Sequence, residues 1–121
     1  MEDGKNEIVS LSFAFAVRIV KLNKFLNKTK KEFTLSKQLL RCGTSIGANV
    51  YEAQDAQSKK DFISKMSIAL KEAQESKYWI MLLIETDYLD KKDPNVISLK
   101  NDIDSIVRVL TSIVKSARNS I

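Results

Sequence analysis

The chain has no histidine among its 121 residues. That removes the commonest general base, the commonest metal ligand and every triad built on imidazole. One cysteine excludes an internal disulfide, so a reducing cytoplasm is the expected compartment. Three glycines and one proline supply little turn chemistry, which excludes folds of many short strands and favours a few long helices. No apolar run approaches the ~18–20 residues that a membrane-spanning helix needs. The opening MEDGKNEIVS is acidic and polar, without the basic-then-apolar pattern of a signal peptide. Asn27-Lys28-Thr29 matches a glycosylation sequon, which carries no weight without a secretion signal. The sequence shows no metal-ligand cluster, phosphate loop or nucleophile–base pair, so no catalytic residue, cofactor or metal is expected.

What is present is 44% hydrophobic and 29% charged residues, the balance of one globular domain spanning 1–121. Four helical periodicities cover nearly all of it. Ile8, Leu11, Phe15, Ile19, Leu22 and Leu26 form the first apolar stripe, and Leu35, Leu39, Cys42, Ile46, Val50 and Ala53 the second. The third runs Phe62, Met66, Ala69, Ala73, Ser76, Ile80, Leu83. The fourth, Val96, Leu99, Ile103, Ile106, Leu110, Ile113, Ala117, is close to a pure heptad repeat. Thr34 is placed to cap the second helix, Ser58 with Asp61 reads as a capping box, and Asp93-Pro94 is a cap followed by proline at the first helical position. The loops, near residues 30–34, 56–58 and 88–93, are short. Short loops make neighbours antiparallel, which predicts an all-α, up-down-up-down four-helix bundle.

The second helix carries an unusual stretch, RCGTSIGANVYEA at residues 41–53. Arg41, Ser45, Asn49 and Glu52 form a polar stripe beside the apolar one, about 100° round by the helical period. Arg41 and Glu52 are too far apart to pair, so each needs a partner elsewhere, with Glu72 and Glu75 of the third helix, or another chain, as candidates. Gly43 and Gly47 make a thin strip on the other flank, and Ala69, Ala73 and Ser76 offer a matching thin surface. Close packing of helices two and three accounts for these small residues better than a ligand site does. Cys42 lies on the core stripe as a small hydrophobe.

The run from Gln38 to Ala53 resembles the signature Q-x-x-R-A-x-x-S-I-x-x-N-I-A-E-G of the bacterial four-helix bundle proteins encoded within 23S rRNA intervening sequences. Phe62 to Glu75 is similar to the family's second motif, F-x-x-x-L-x-I-A-x-G-S-x-x-E. The resemblance spans about residues 8–118. Ala53 stands in place of the usual glycine, Tyr51 of alanine, Lys71-Glu72 of glycine-serine, and Gly47 where proline is common, which predicts a kink or loosened turn there. The resemblance implies a bundle that assembles as a homopentamer, without established enzyme activity. It also implies kinship with accessory proteins of diversity-generating retroelements, basic pentamers associated with a reverse transcriptase and nucleic acid.

Two surfaces remain. Tyr78 to Ile84 is apolar all round, so Ile68, Trp79 and Leu82 are expected to project away from the core, as are Phe13, Val17 and Val20 on the first helix. Apolar patches on two sides of a small bundle predict subunit contacts; a few solitary exposed aromatics are the plainer alternative. Charge is uneven too. Residues 18–37 hold Arg18, Lys21, Lys24, Lys28, Lys30, Lys31 and Lys37 against Glu32 alone, a local +6 in a chain of net +5. Lys21, Lys24, Lys28 and Lys31 are expected on the solvent face of the first helix, with Lys91 and Lys92 brought to the same end and few aromatics there to stack on bases. Solubility accounts for any single lysine, whereas the cluster points to a polyanion. The leading function is therefore a non-enzymatic oligomeric module that contacts RNA or DNA backbone through a basic end. A protein-binding scaffold, for example for a reverse transcriptase, comes second, and a carboxylate enzyme using Glu52, Glu72 and Glu75 is a distant third.

Overall fold

In a computed structural model the described residues are 2–120, with side chains from Glu7 to Ser120. They form four helices, α1 (Glu2–Lys28), α2 (Leu35–Ala53), α3 (Lys59–Glu85) and α4 (Pro94–Asn119), and no strand occurs among them. Each helix touches only its two neighbours around a ring, α1 with α2 and α4, and α3 with α2 and α4.

Cross-contacts fix the directions. Going up α2 from Gly43 to Gly47, the facing residue on α1 falls from Ile19 to Ser12. Arg41 meets Glu75 while Glu52 meets Lys65, so α2 and α3 are also opposed. Lys77 pairs with Asp104 and Arg118 reaches Ser67, which sets α3 against α4. Arg18 of α1 bonds to Asn95, Ser98 and Asp102 near the start of α4. The loops at 29–34 and 86–93 therefore share one end of the bundle.

The four apolar stripes meet in a single core. Ile8, Phe15, Ile19, Leu26, Leu39, Ile46, Met66, Ile80, Leu83, Ile103, Ile106 and Leu110 are its largest fully buried members. At the far end of α4 the burial departs from the heptad: Val114 is buried, and Ile113 only flanks the core. Ser12, Ser36 and Ser76 are buried as well, and each hydroxyl donates to a main-chain carbonyl three or four residues back. That bond removes the cost of an unsatisfied buried donor.

The glycines sit against α1, not α3. A Cβ on Gly43 would lie 3.0 Å from both branches of Ile19, and one on Gly47 would lie 3.2 Å from the main-chain oxygen of Ser12. Two hydrogen atoms in place of two side chains let α1 and α2 close to backbone contact at that point. The chain stays helical through Gly47, without the expected loosened turn. On the other flank, Ala69 and Ala73 are fully buried, and the Ser76 hydroxyl reaches Cys42 Sγ at 3.3 Å.

Two of the three caps form as the sequence suggests. Asp93 accepts from the Asn95 amide, with Pro94 at the first helical position. Ser58 accepts from the Asp61 amide, while the Asp61 carboxylate turns to the Gln57 amide, so the box is closed one residue early. Thr34 makes no side-chain cap. Glu32 takes its place: Oε2 accepts from the Thr34 and Leu35 amides at 3.1 and 2.9 Å, and Oε1 from Ser36 at 2.7 Å. One carboxylate so satisfies three of the donors that a helix start leaves orphaned, and its charge suits the positive end of the helix dipole.

Candidate nucleic-acid interface

The corner joining α1 to α2 is built by a tight reversal. After Lys28 the Thr29 and Lys30 amides fold back onto the Phe25 carbonyl, and the Glu32 amide bonds Leu26 O at 2.9 Å. The turn requires a left-handed residue, which is Lys31 at φ 54°. Lys31 consequently belongs to the turn and not to the solvent face of α1. Glycine is the usual occupant of such a position, and a lysine there carries a conformational cost of about 1 kcal/mol.

This turn determines which charges face water. Lys21, Lys24, Lys28, Lys30, Lys31 and Lys37 are all exposed, and among the described residues none of them pairs with an acidic side chain. Glu32, the one carboxylate of the segment, is buried and turned onto the α2 amides. Burial pushes its carboxyl up, but the amides of Leu35, Ser36 and Thr34 and the Ser36 hydroxyl outweigh that and hold it below the usual carboxylate range. Arg18 is engaged elsewhere, 2.7 Å from Asp102 and 2.9 Å from the Asn95 carbonyl, where it braces α1 against α4. Lys91 and Lys92 do lie at this end. Their loop, however, also carries Asp87, Asp90 and Asp93, and Glu85 closes α3 beside it. The cationic surface is thus the α1–α2 corner and not the whole end. Two phenylalanines stand in it, Phe25 at 42% and Phe33 at 59% exposure, so the corner is richer in aromatic surface than its sequence suggests.

A second polar cluster lies midway along α2 and α3. Arg41 pairs with Glu75 at 2.6 Å and with Glu72 at 3.4 Å. Ser45 donates to Glu72 at 3.1 Å, and Asn49 Nδ2 donates back to the Ser45 carbonyl and hydroxyl. Trp79 Nε1 donates to Glu75 at 3.3 Å. That bond, more than burial can offset, holds the Glu75 carboxyl below its ordinary range, and Arg41 adds to the effect. A general acid needs the opposite shift. Arg41 in turn is raised by its bond to Glu75. Glu52 stands apart from this cluster and pairs with Lys65 at 2.9 Å. Burial raises the Cys42 thiol, as expected of an inert core cysteine. No group of residues suited to a metal ion occurs among those described.

Of the apolar residues singled out for subunit contacts, Phe13 is 70% exposed, and Val17, Val20 and Ile68 are exposed beside it or opposite. Trp79 and Leu82 are half-buried, Trp79 packing edge-on to Tyr78 with ring centres 5.1 Å apart. Tyr51, Tyr78 and Met81 are more exposed than either. Sequence periodicity ranks them poorly, because an aromatic or methionine at a stripe margin reads as core. Among the described residues no helix is long and apolar enough to cross a membrane.

A profile described as the 23S rRNA-intervening sequence protein matches residues 4–112. Among solved structures, the chain is similar to a protein of unknown function from the S23 ribosomal protein family of Bacteroides thetaiotaomicron VPI-5482, solved at 1.70 Å resolution. The two share 52% identity over 93% of this chain and 98% of the other, with a TM-score of 0.88. A search of curated proteins gives no match.

Proposed function

Because this chain belongs to the 23S rRNA-intervening sequence protein family, we propose that it is a non-enzymatic bundle that self-associates and holds nucleic acid at its α1–α2 corner. The observation that carries this reading is the set of six unpaired lysines between residues 21 and 37, with the segment's single carboxylate turned inward. Each lysine near a phosphate releases a condensed counterion, so the interaction is sequence-tolerant and steeply salt-dependent. Self-association repeats the corner around an assembly and multiplies the attraction. It is supported by apolar surfaces that differ in kind, Phe13 and Val17 on α1 against Ile68 and Tyr78 on α3. Unlike faces favour a closed head-to-tail ring over a two-fold dimer, and a homopentamer is the ring the family resemblance implies.

The test is fluorescence anisotropy of a labelled nucleic acid titrated with the protein across a salt series. Lys21→Glu, Lys24→Glu and Lys28→Glu together should abolish the binding while circular dichroism and light scattering stay unchanged. If the wild-type protein binds neither RNA nor DNA at low salt, the lysines serve solubility alone and a protein-binding scaffold takes the place of this reading.

A further inference from the structure

Phe25 and Phe33 are large apolar rings exposed in the most cationic part of the surface. Phe33 is held out by a braced turn. On one side the Glu32 amide is tied to Leu26 O at 2.9 Å, and on the other the Thr34 amide is tied to the Glu32 carboxylate at 3.1 Å. Phe25 lies on the last turns of α1 with the Lys30 ammonium 6.0 Å from its ring centre. Its other side lines a groove of about 380 Å³ whose apolar lining includes Leu22, Leu89 and Leu99 and whose polar edge is Arg18, Lys21, Asp93 and Asn95. The backbone that carries Phe33 and one face of Phe25 are thus set before any ligand arrives.

The partner must account for rings and lysines together. A second copy of this chain is a poor match, since a two-fold contact would set the corner against its own positive charge and the head-to-tail contact proposed above uses Phe13, Val17, Ile68 and Tyr78 instead. Duplex nucleic acid offers phosphates, but its base faces are already stacked on one another and leave the rings without an occupant. A strand with unpaired bases offers both chemistries, phosphates at lysine spacing and a π-face on every base. Resting on the nucleic-acid reading above, we infer that the α1–α2 corner is a stacking platform for single-stranded nucleic acid. Bases pack on Phe25 and Phe33, the backbone runs along Lys21, Lys24 and Lys28, and the groove beside Phe25 receives one base. Stacking on a base face and contact with a phosphate are common to ribose and deoxyribose strands, so the two bind alike.

Anisotropy with oligouridylate, oligothymidylate and a DNA duplex of the same length, at one low salt concentration, tests this. The two single strands should bind with similar affinity and at least tenfold more tightly than the duplex. Phe33→Ala and Phe25→Leu should each weaken single-strand binding roughly tenfold, the loss expected for one stacked base, and leave duplex binding and helicity unchanged. Phe33→Tyr, which keeps the ring, should retain the affinity. Equal binding of single strand and duplex, with Phe33→Ala silent while the lysine-to-glutamate variant abolishes both, overturns the platform and leaves the basic-corner reading standing. No binding of any strand at low salt overturns both. Vesicles of anionic lipid captured in preference to the oligonucleotides would assign the corner to a membrane surface and likewise overturn the platform.

Discussion

Glu32→Gln isolates the device that shapes the basic corner. The substitution keeps size and shape but leaves one acceptor oxygen where the carboxylate has two. The amide nitrogen must then face either the Ser36 amide, now served by Oε1 at 2.7 Å, or the pair at Thr34 and Leu35. Helix caps contribute ~0.5–2 kcal/mol, and hydrogen bonds to a charged acceptor ~1.5–3 kcal/mol. Ser36 is fully buried, so water cannot replace the lost partner there, and the upper part of the cap range applies. We expect a loss of about 2 kcal/mol, or roughly 8 °C in Tm for a domain of this length. Because the folded carboxyl lies below its unfolded value, the unfolded chain binds more protons in acid. The stabilisation is complete above the unfolded value of about 4.3 and disappears as pH falls through the lower folded one. The deficit of Glu32→Gln should therefore be full at neutral pH and shrink below about pH 4. Thermal unfolding by far-ultraviolet circular dichroism, at one protein concentration throughout since assembly shifts Tm, measures both. A neutral-pH difference under ~0.5 kcal/mol, the ordinary scatter of surface substitutions, or a deficit unchanged in acid would refute the capping account.

Gly43→Ala should destabilise the bundle despite gaining up to ~1 kcal/mol of helix propensity, because overpacking against a branched core side chain costs ~1–3 kcal/mol; chemical denaturation at fixed concentration reads the sign. Arg41→Ala should cost less than ~1 kcal/mol, since the Arg41 side chain is 53% exposed, and the effect should vanish near 1 M salt. Phe13→Glu should reduce the proposed assembly to monomers in light scattering without loss of helicity, and a particle of unchanged mass would remove α1 from the proposed subunit contact.

The apolar stripes were legible because each helix repeats its buried face every three or four residues, and the structure buries or half-buries every residue on them. The end of α4 departs from its heptad for a geometric reason. A straight helix turns about 20° away from a seven-residue repeat in each heptad, so after Leu110 the inward direction has moved from Ile113 to Val114. The missed cap is of a different origin. Thr34 has the right chemistry at the right position, but Glu32, two residues earlier, reaches the same amides with a charged acceptor once Lys31 takes a left-handed turn. Nothing in local propensity announces that turn, since lysine is not a residue one expects at positive φ. The aromatic content of the corner was hidden for a similar reason: Phe33 sits in a loop whose direction only the turn decides.

The glycine assignment shows which part of a bundle a helical wheel leaves open. A wheel places Gly43 and Gly47 on one flank of α2 and Arg41 with Ser45 on the other, but a bundle can turn either way, and the wheel does not say which neighbour takes which flank. Small residues do not decide, for Ala69 and Ala73 on α3 are as thin as anything α1 presents. Charge does. With α1 antiparallel to α2 and Gly43 level with Ile19, Arg41 in the opposite arrangement would look toward the stretch of α1 that carries Arg18, Lys21 and Lys24. In the observed arrangement it meets Glu72 and Glu75 of α3 instead. Exposed pairs contribute only fractions of a kcal/mol to stability, and the difference here is between two ion pairs and a like-charge contact. That electrostatic difference favours the observed hand of the bundle. The lysines of α1 face solvent because Phe15, Ile19 and Leu26 turn the other side of that helix into the core, and the turn at Lys31 adds the rest of the cationic corner.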